Sequence, residues 1–239
     1  MTITHKYHLT AFIILMNVLS LYAQDQDKLM QAFLDAKSKS DINKAVKRII
    51  ASKIEFDQLY DHLQKGRKYT KEVPTGFLEL EYELEGQKYF TLVHIPQNYD
   101  PAGKYMVYIN LHGGISGSNW RGADRFVDRT NPEYLNREYI NVYPSSWKAS
   151  AWWSYDQSRN LAFIIDRLKQ QYNIDENRVH VGGVSDGGTG TFYIANADPT
   201  PWAGFSSFIG NFHGLKVLAD NQIYVSNFRN KPFLIINTE

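Results

Sequence analysis

Gly183-Val184-Ser185-Asp186-Gly187 is the stretch whose residue types and spacing can do chemistry. Just before it, Arg178-Val179-His180-Val181 is a short β-branched run that reads as a strand. Just after it, Gly188, Gly190 and Thr191-Phe192-Tyr193-Ile194-Ala195 read as a helix. A serine on a sharp strand-to-helix turn stands out from the end of a sheet with its hydroxyl exposed, which is the position of a nucleophile. The glycines are expected to let the turn adopt unusual dihedrals and to bring the helix close to the sheet. Taken alone, five residues of this pattern fit an ordinary glycine-rich turn. The strand before, the helix after and a second motif upstream set this one apart.

The second motif is Leu111-His112-Gly113-Gly114, directly after an apolar strand that starts at Tyr105. Acyl transfer builds negative charge on a carbonyl oxygen, and backbone N–H groups aimed at that oxygen stabilise it. Gly113 or Gly114 is expected to supply one such donor, and the N–H of Asp186, next after the serine, the other. His112 is expected to order the loop by hydrogen bonding and to line the substrate side. Trp120 follows this loop, and Trp147, Trp152 and Trp153 follow the Tyr139–Tyr143 strand. The sequence places these indoles at the sheet end where open α/β sheets bind ligands, as a rim able to stack on sugar or phenolic rings or to pack the loops themselves. His94 and His180 fall within strands and read as packed, and His62 reads as a surface residue. No His, Asp or Glu cluster has metal-ligand spacing, and no metal or cofactor is expected.

The elements that must position these groups follow from periodicity. Residues 26–65 read as two or three helices, with stripes at Ile42, Ala45, Val46, Ile49 and Ile50 and at Phe56, Leu59, Tyr60 and Leu63. Asp41 is placed to cap the first stripe, Gly66 ends the second, and both stripes are expected to pack against the main domain. Leu78, Leu80, Tyr82 and Leu84 then alternate with Glu79, Glu81 and Glu83, a half-buried strand with a solvated acidic face. Glu85-Gly86-Gln87 turns the chain into a hairpin partner, Tyr89 to Ile95. Strands and helices alternate from there. A short helix is expected near Arg121 to Arg129, and Ser154 with Gln157 has a capping-box spacing that opens a helix bearing Leu161, Ile164, Ile165 and Leu168. Further strands lie at Phe205 to Ile209 and Pro232 to Asn237. A hairpin leading into βαβ units implies a mostly parallel sheet with helices on both faces.

The whole chain has 239 residues, is 43% hydrophobic and carries a formal net charge of +1, which suits one globular domain and gives no basic excess for nucleic acid. Lys6, the apolar run Leu9 to Leu21 and Leu21-Tyr22-Ala23 read as a secretory signal peptide, residues 1–23, cut after Ala23; the alternative is an N-terminal membrane anchor, for which the run is short. With no cysteine there is no lipid anchor on that residue and no disulfide. The expectation is a periplasmic or secreted protein without stable membrane insertion, with a helical segment at 24–72 and the main domain at 73–239.

The strand order, the His-Gly-Gly loop after the third strand and the serine turn after the fifth resemble the α/β-hydrolase superfamily. Arg178 to Gly190 and the Trp152-Trp153 region are similar to secreted bacterial esterases of the polyhydroxybutyrate-depolymerase-like, feruloyl-esterase-like and phospholipase/carboxylesterase-like groups. The resemblance implies a serine esterase acting on a small-molecule or polymer-linked ester. A serine peptidase of the same superfamily, or a non-catalytic polysaccharide- or polymer-binding protein, are the alternatives. The superfamily's order is serine, acid, histidine, with the last two after the seventh and eighth strands. Here the seventh strand ends at Asn237, so the fold is expected to lack its last strand, and the chain its general base and acid. Glu239 and His213 are the nearest stand-ins, and neither matches the pattern.

Overall fold

The computed structural model describes residues 25–36, 38–218 and 223–238. The expected signal peptide, Asp220 and Glu239 lie outside them. The chain divides into two compact units, Met1–Lys68 and Tyr69–Glu239.

The first unit is helical: α1 (residues 25–34), α2 (Lys39–Ala51) and α3 (Phe56–Lys65). Ser38, not Asp41, is the N-cap of α2. Its hydroxyl oxygen accepts from the Asp41 N–H at 3.1 Å, while its O–H donates to the Asp41 carboxylate at 2.7 Å. Asp41 sits one turn in, where a carboxylate favours the positive end of the helix. His62 is no free surface residue: its Nδ1 lies 3.0 Å from the Asp27 carboxylate. Within the stripes Ala45 is buried and Ile49 and Leu59 are half-buried, while Ile42, Val46, Ile50, Phe56, Tyr60 and Leu63 are exposed.

The second unit holds a seven-stranded sheet in the order β1-β2-β4-β3-β5-β6-β7. The strands are β1 (Gly76–Leu84), β2 (Gln87–Ile95), β3 (Tyr105–Leu111), β4 (Ile140–Pro144), β5 (Ile174–Val184), β6 (Gly204–Phe208) and β7 (Phe233–Ile236). The β1–β2 and β2–β4 pairs are antiparallel and the rest are parallel. The helices are α4 (Pro132–Leu135), α5 (Tyr155–Leu168), α6 (Asp186–Ala197) and α7 (Phe212–Leu218). Residues 121–129 form a 3₁₀ turn, Gly122–Phe126, rather than an α-helix.

Period two decides which side chains enter which core. In β1 the glutamates are exposed and Leu78, Leu80 and Tyr82 half-buried. β2 and β4 are sandwiched and almost wholly buried. Val93, Ile95, Val107, Ile109, Leu111, Ile140, Val142, Val179 and Val181 share one core with Leu161, Ile164 and Leu168 of α5 and Ile194 of α6. Each such fully buried aliphatic side chain contributes about 1.5–3 kcal/mol. Phe90, Leu92 and Tyr143 point the other way, against Ala123 and Val127. Arg121 fastens that second layer. Its guanidinium lies 4.3 Å from the centre of the Phe90 ring, 2.9 Å from Glu79, and also pairs with Glu81.

The capping box at α5 is half made. Ser154 accepts from the Gln157 N–H at 3.3 Å, but the Gln157 amide donates instead to the Ser145 carbonyl at 3.0 Å and the Ser150 carbonyl at 3.1 Å. Burial explains the choice. Gln157 is fully enclosed, and the loop carbonyls around it need donors.

Candidate active site

Sheet register brings the two motifs together. Leu111, the last residue of β3, pairs with Gly183, the last but one of β5, and two residues further on Gly113 faces Ser185. A Cβ built on Gly113 would lie 3.0 Å from the Ser185 Cβ and 3.5 Å from its Oγ. A side chain there would crowd both Ser185 and the Val184 carbonyl, 3.1 Å away.

Ser185 is the N-cap of α6 and carries the unusual dihedrals itself, φ 56° and ψ −118°. Gly183 and Gly187 have no positive φ. Their part is close approach, not conformational freedom. A Cβ on Gly187 would overlap the Leu111 carbonyl oxygen, one on Gly183 the Gly187 carbonyl, and one on Gly190 the Trp152 side chain. The Ser185 N–H donates to Phe208 O at 2.9 Å, and its carbonyl accepts from the Thr189 N–H at 2.9 Å. The hydroxyl is exposed at the sheet's end. Among the described residues no side chain hydrogen-bonds it. His213 is on α7, exposed and without a bond to Ser185.

Asp186 opens α6, so its N–H has no partner one turn back within the helix. The N–H groups of Gly113 and Gly114 likewise donate to nothing among the described residues. These are the free donors beside Ser185. The Asp186 carboxylate has a separate task that sequence reading missed: its Oδ2 accepts from the Ile115 N–H at 3.0 Å. Nothing in the sequence signals it, since the partners lie 71 residues apart.

His112 is buried and held on every side. Its Nε2 accepts from the Ser146 N–H at 3.1 Å, which leaves the proton on Nδ1, and Nδ1–H donates to the Gly113 carbonyl at 2.8 Å. The Phe126 ring stacks on it at 4.5 Å and the Trp152 ring meets it edge-on at 5.2 Å. Burial pushes its pKa below the usual histidine value, against a smaller opposite pull from the Gly113 carbonyl and Asp186. The ring is neutral and orders the loop, as the motif suggested.

The tryptophan rim divides. Trp152 is 0% exposed, donates from Nε1 to His112 O at 2.8 Å and backs onto Gly190. It is core, and its assignment to substrate contact is corrected on that ground. Trp153 is half-buried and packed against the main core. Trp120 does face a cavity: with Trp147, Gly86, Gln87, Lys88, Ser118 and Asn119 it lines an open groove of about 500 Å³. A second cavity, of about 290 Å³, lies beside the turn between Leu111, His112, Phe126, Gly183 and Val184. Among the described residues no helix is long and apolar enough to cross a membrane.

No family model matches the chain. The bifunctional acetylxylan esterase/xylanase XynS20E of Neocallimastix patriciarum is 27% identical over 123 residues, covering 49% of this chain and 17% of that protein. A solved thermostable esterase superposes with a TM-score of 0.52 at 23% identity, over 66% of this chain and 45% of that one. The S-formylglutathione hydrolase FrmB of Staphylococcus aureus does so with a TM-score of 0.50 at 16% identity, over 68% and 78%. The fold is that of the α/β hydrolases. The chain thus spans less than half of the thermostable esterase and about a sixth of the curated relative. Ser185 and Gly113 stand at the carboxyl ends of β5 and β3, the end at which open α/β sheets bind ligands.

Proposed function

We propose that the protein is an exported serine hydrolase of carboxylic esters. The observation that carries this is the approach of Gly113 to Ser185, with a would-be Cβ 3.5 Å from the hydroxyl oxygen, at a serine held at φ 56°. Ser185 Oγ attacks the ester carbonyl carbon, and the carbonyl electrons move to oxygen. The N–H of Asp186 and that of Gly113 or Gly114 hold the oxyanion. Collapse expels the alcohol and leaves an acyl group on Ser185, which water then removes. The Ser185 proton passes to a general base, which returns it to the departing alcohol. The esterase names among the structural and sequence relatives support ester over peptide as the substrate class. Residues 1–23 act as a cleaved leader that delivers the protein to the periplasm or the medium.

The test uses the protein from its native host. A fluorophosphonate should label Ser185, and Ser185→Ala should remove both labelling and turnover of p-nitrophenyl acetate. Labelling of another serine in the mutant would sink the assignment. Mass spectrometry of the same material should find an N-terminus at or within a few residues of Gln24, and retention of Met1 on most molecules would refute export by cleavage.

A further inference from the structure

We infer that the Asp186 side chain is a positioning residue for the oxyanion site, a latch that holds the His112–Ile115 loop at a set distance from Ser185. The inference deepens the esterase reading and rests on it.

Three observations converge. Asp186 Oδ2 accepts from the Ile115 N–H at 3.0 Å, a side-chain bond that joins the serine turn to the loop just past Gly114. The residue also carries, on its own backbone, one of the free donors beside Ser185. One residue therefore presents a donor and anchors the segment that presents the other. Gly114 itself adopts a left-handed conformation, φ 63°, with nothing within 4 Å of a would-be Cβ. Gly114 is exposed with open space where a side chain would stand, so the loop there is placed chiefly by what holds it on either side. At the first end His112 is fixed by Ser146, Trp152 and Phe126. At the other end the Ile115 side chain is buried in the main core and its N–H is held by Asp186.

The choice of an acid is informative. A carboxylate beside a developing oxyanion opposes the charge the site has to stabilise. Two features mitigate that. The carboxylate sits in the first turn of α6, where the helix N-terminus favours negative charge, and it accepts a backbone N–H. An oxyanion site works only if its donors are in place before charge develops. The latch supplies that placement. Losing it should leave substrate binding nearly untouched and slow the step in which the oxyanion forms.

The experiment compares Asp186→Ala, Asp186→Leu and Asp186→Asn with wild type in the protein as its native host makes it. The readouts are kcat and KM for p-nitrophenyl acetate, the rate of fluorophosphonate labelling of Ser185, and thermal melting. The acceptor-free variants should lose about tenfold to a hundredfold in kcat and in labelling rate, somewhat less than removal of a donor itself, with KM within about twofold. Asp186→Asn keeps an acceptor oxygen and should recover most of the loss. Overturning results are kcat within twofold of wild type in both acceptor-free variants, no recovery in Asp186→Asn, or an effect confined to melting or KM. If both acceptor-free variants fail to fold while Asp186→Asn folds, the bond is a general fold contact and the assignment falls. Turnover that survives Ser185→Ala would instead defeat the esterase reading itself, so the two failures are separable.

Discussion

The indole N–H of Trp152 donates to the backbone carbonyl of His112 at 2.8 Å, which ties the loop before α5 to the loop after β3 from inside the core. Trp152→Phe keeps most of the ring and removes the donor from a buried carbonyl, a change of about 1–3 kcal/mol. For a chain of this size that should lower the melting temperature by several degrees. Turnover should fall as the His-Gly-Gly loop loosens. Calorimetry and p-nitrophenyl acetate kinetics on the two proteins check both, and an unchanged melting temperature would refute the role of this bond.

The glycines of the serine turn should differ sharply from Gly117 in the loop after β3. Gly187→Ala drives a methyl group onto the Leu111 carbonyl and Gly183→Ala onto the Gly187 carbonyl, both immobile backbone. Each should destabilise by at least the roughly 1–3 kcal/mol typical of overpacking and reduce the yield of folded protein. Gly117 has no positive φ and nothing within 4 Å of a would-be Cβ. Gly117→Ala should leave the urea midpoint unchanged within error.

Acid should destabilise the fold through its histidines before it reaches the carboxylates. Burial is the first cause that lowers the pKa of His94, His112 and His180 from 6.5. His94 also feels the Arg137 charge and has no hydrogen-bond partner for either ring nitrogen among the described residues. Above pH 6.5 these groups are neutral folded and unfolded, and their contribution is fully present. As pH falls below 6.5 the unfolded chain takes up protons that the folded chain refuses, so stability drops, by up to about 1.4 kcal/mol per pH unit for each group. Urea titrations from pH 7.5 to 5 should show this slope, and His94→Phe should flatten it. An identical slope in the variant would contradict the sign worked out here.

Trp120 and Trp147 should read the body of the substrate rather than its ester. Stacking of a ring on an indole is worth about 0.5–1.5 kcal/mol. Trp120→Ala and Trp147→Ala should therefore raise KM about twofold to tenfold for esters of a ring-bearing carrier. The ratio of kcat/KM between such an ester and p-nitrophenyl acetate is the measurement. If neither substitution moves that ratio, the groove is not a substrate contact.

Much of this architecture was legible in the residues. Alternation of Leu78, Leu80 and Tyr82 with three glutamates gave β1 its face, and the flanks of Ser185 identified a strand and a helix. What stayed hidden depends on contacts distant in sequence or on choices between equivalent partners. Five tryptophans in one chain look alike, and only packing sends Trp152 inside and leaves Trp120 at a groove. Ser38 and Asp41 are both good caps, and the backbone dihedrals chose the first. Gln157 has the spacing of a capping box, but enclosed loop carbonyls compete for its amide and win. The glycine pattern pointed to the serine turn while misassigning the strain, which falls on Ser185 and not on its neighbours.

That misplaced strain has a consequence for how the chain can change. A conformation near φ 56° and ψ −118° is natural to glycine and costs a residue with a Cβ on the order of 1–3 kcal/mol. Replacing Ser185 by glycine should therefore yield a more heat-resistant molecule with no hydroxyl to offer. A screen for thermal tolerance alone would drift toward that inert form, whereas a screen that demands turnover would hold the serine in place against it. The site thus marks where durability and activity pull a single codon in opposite directions.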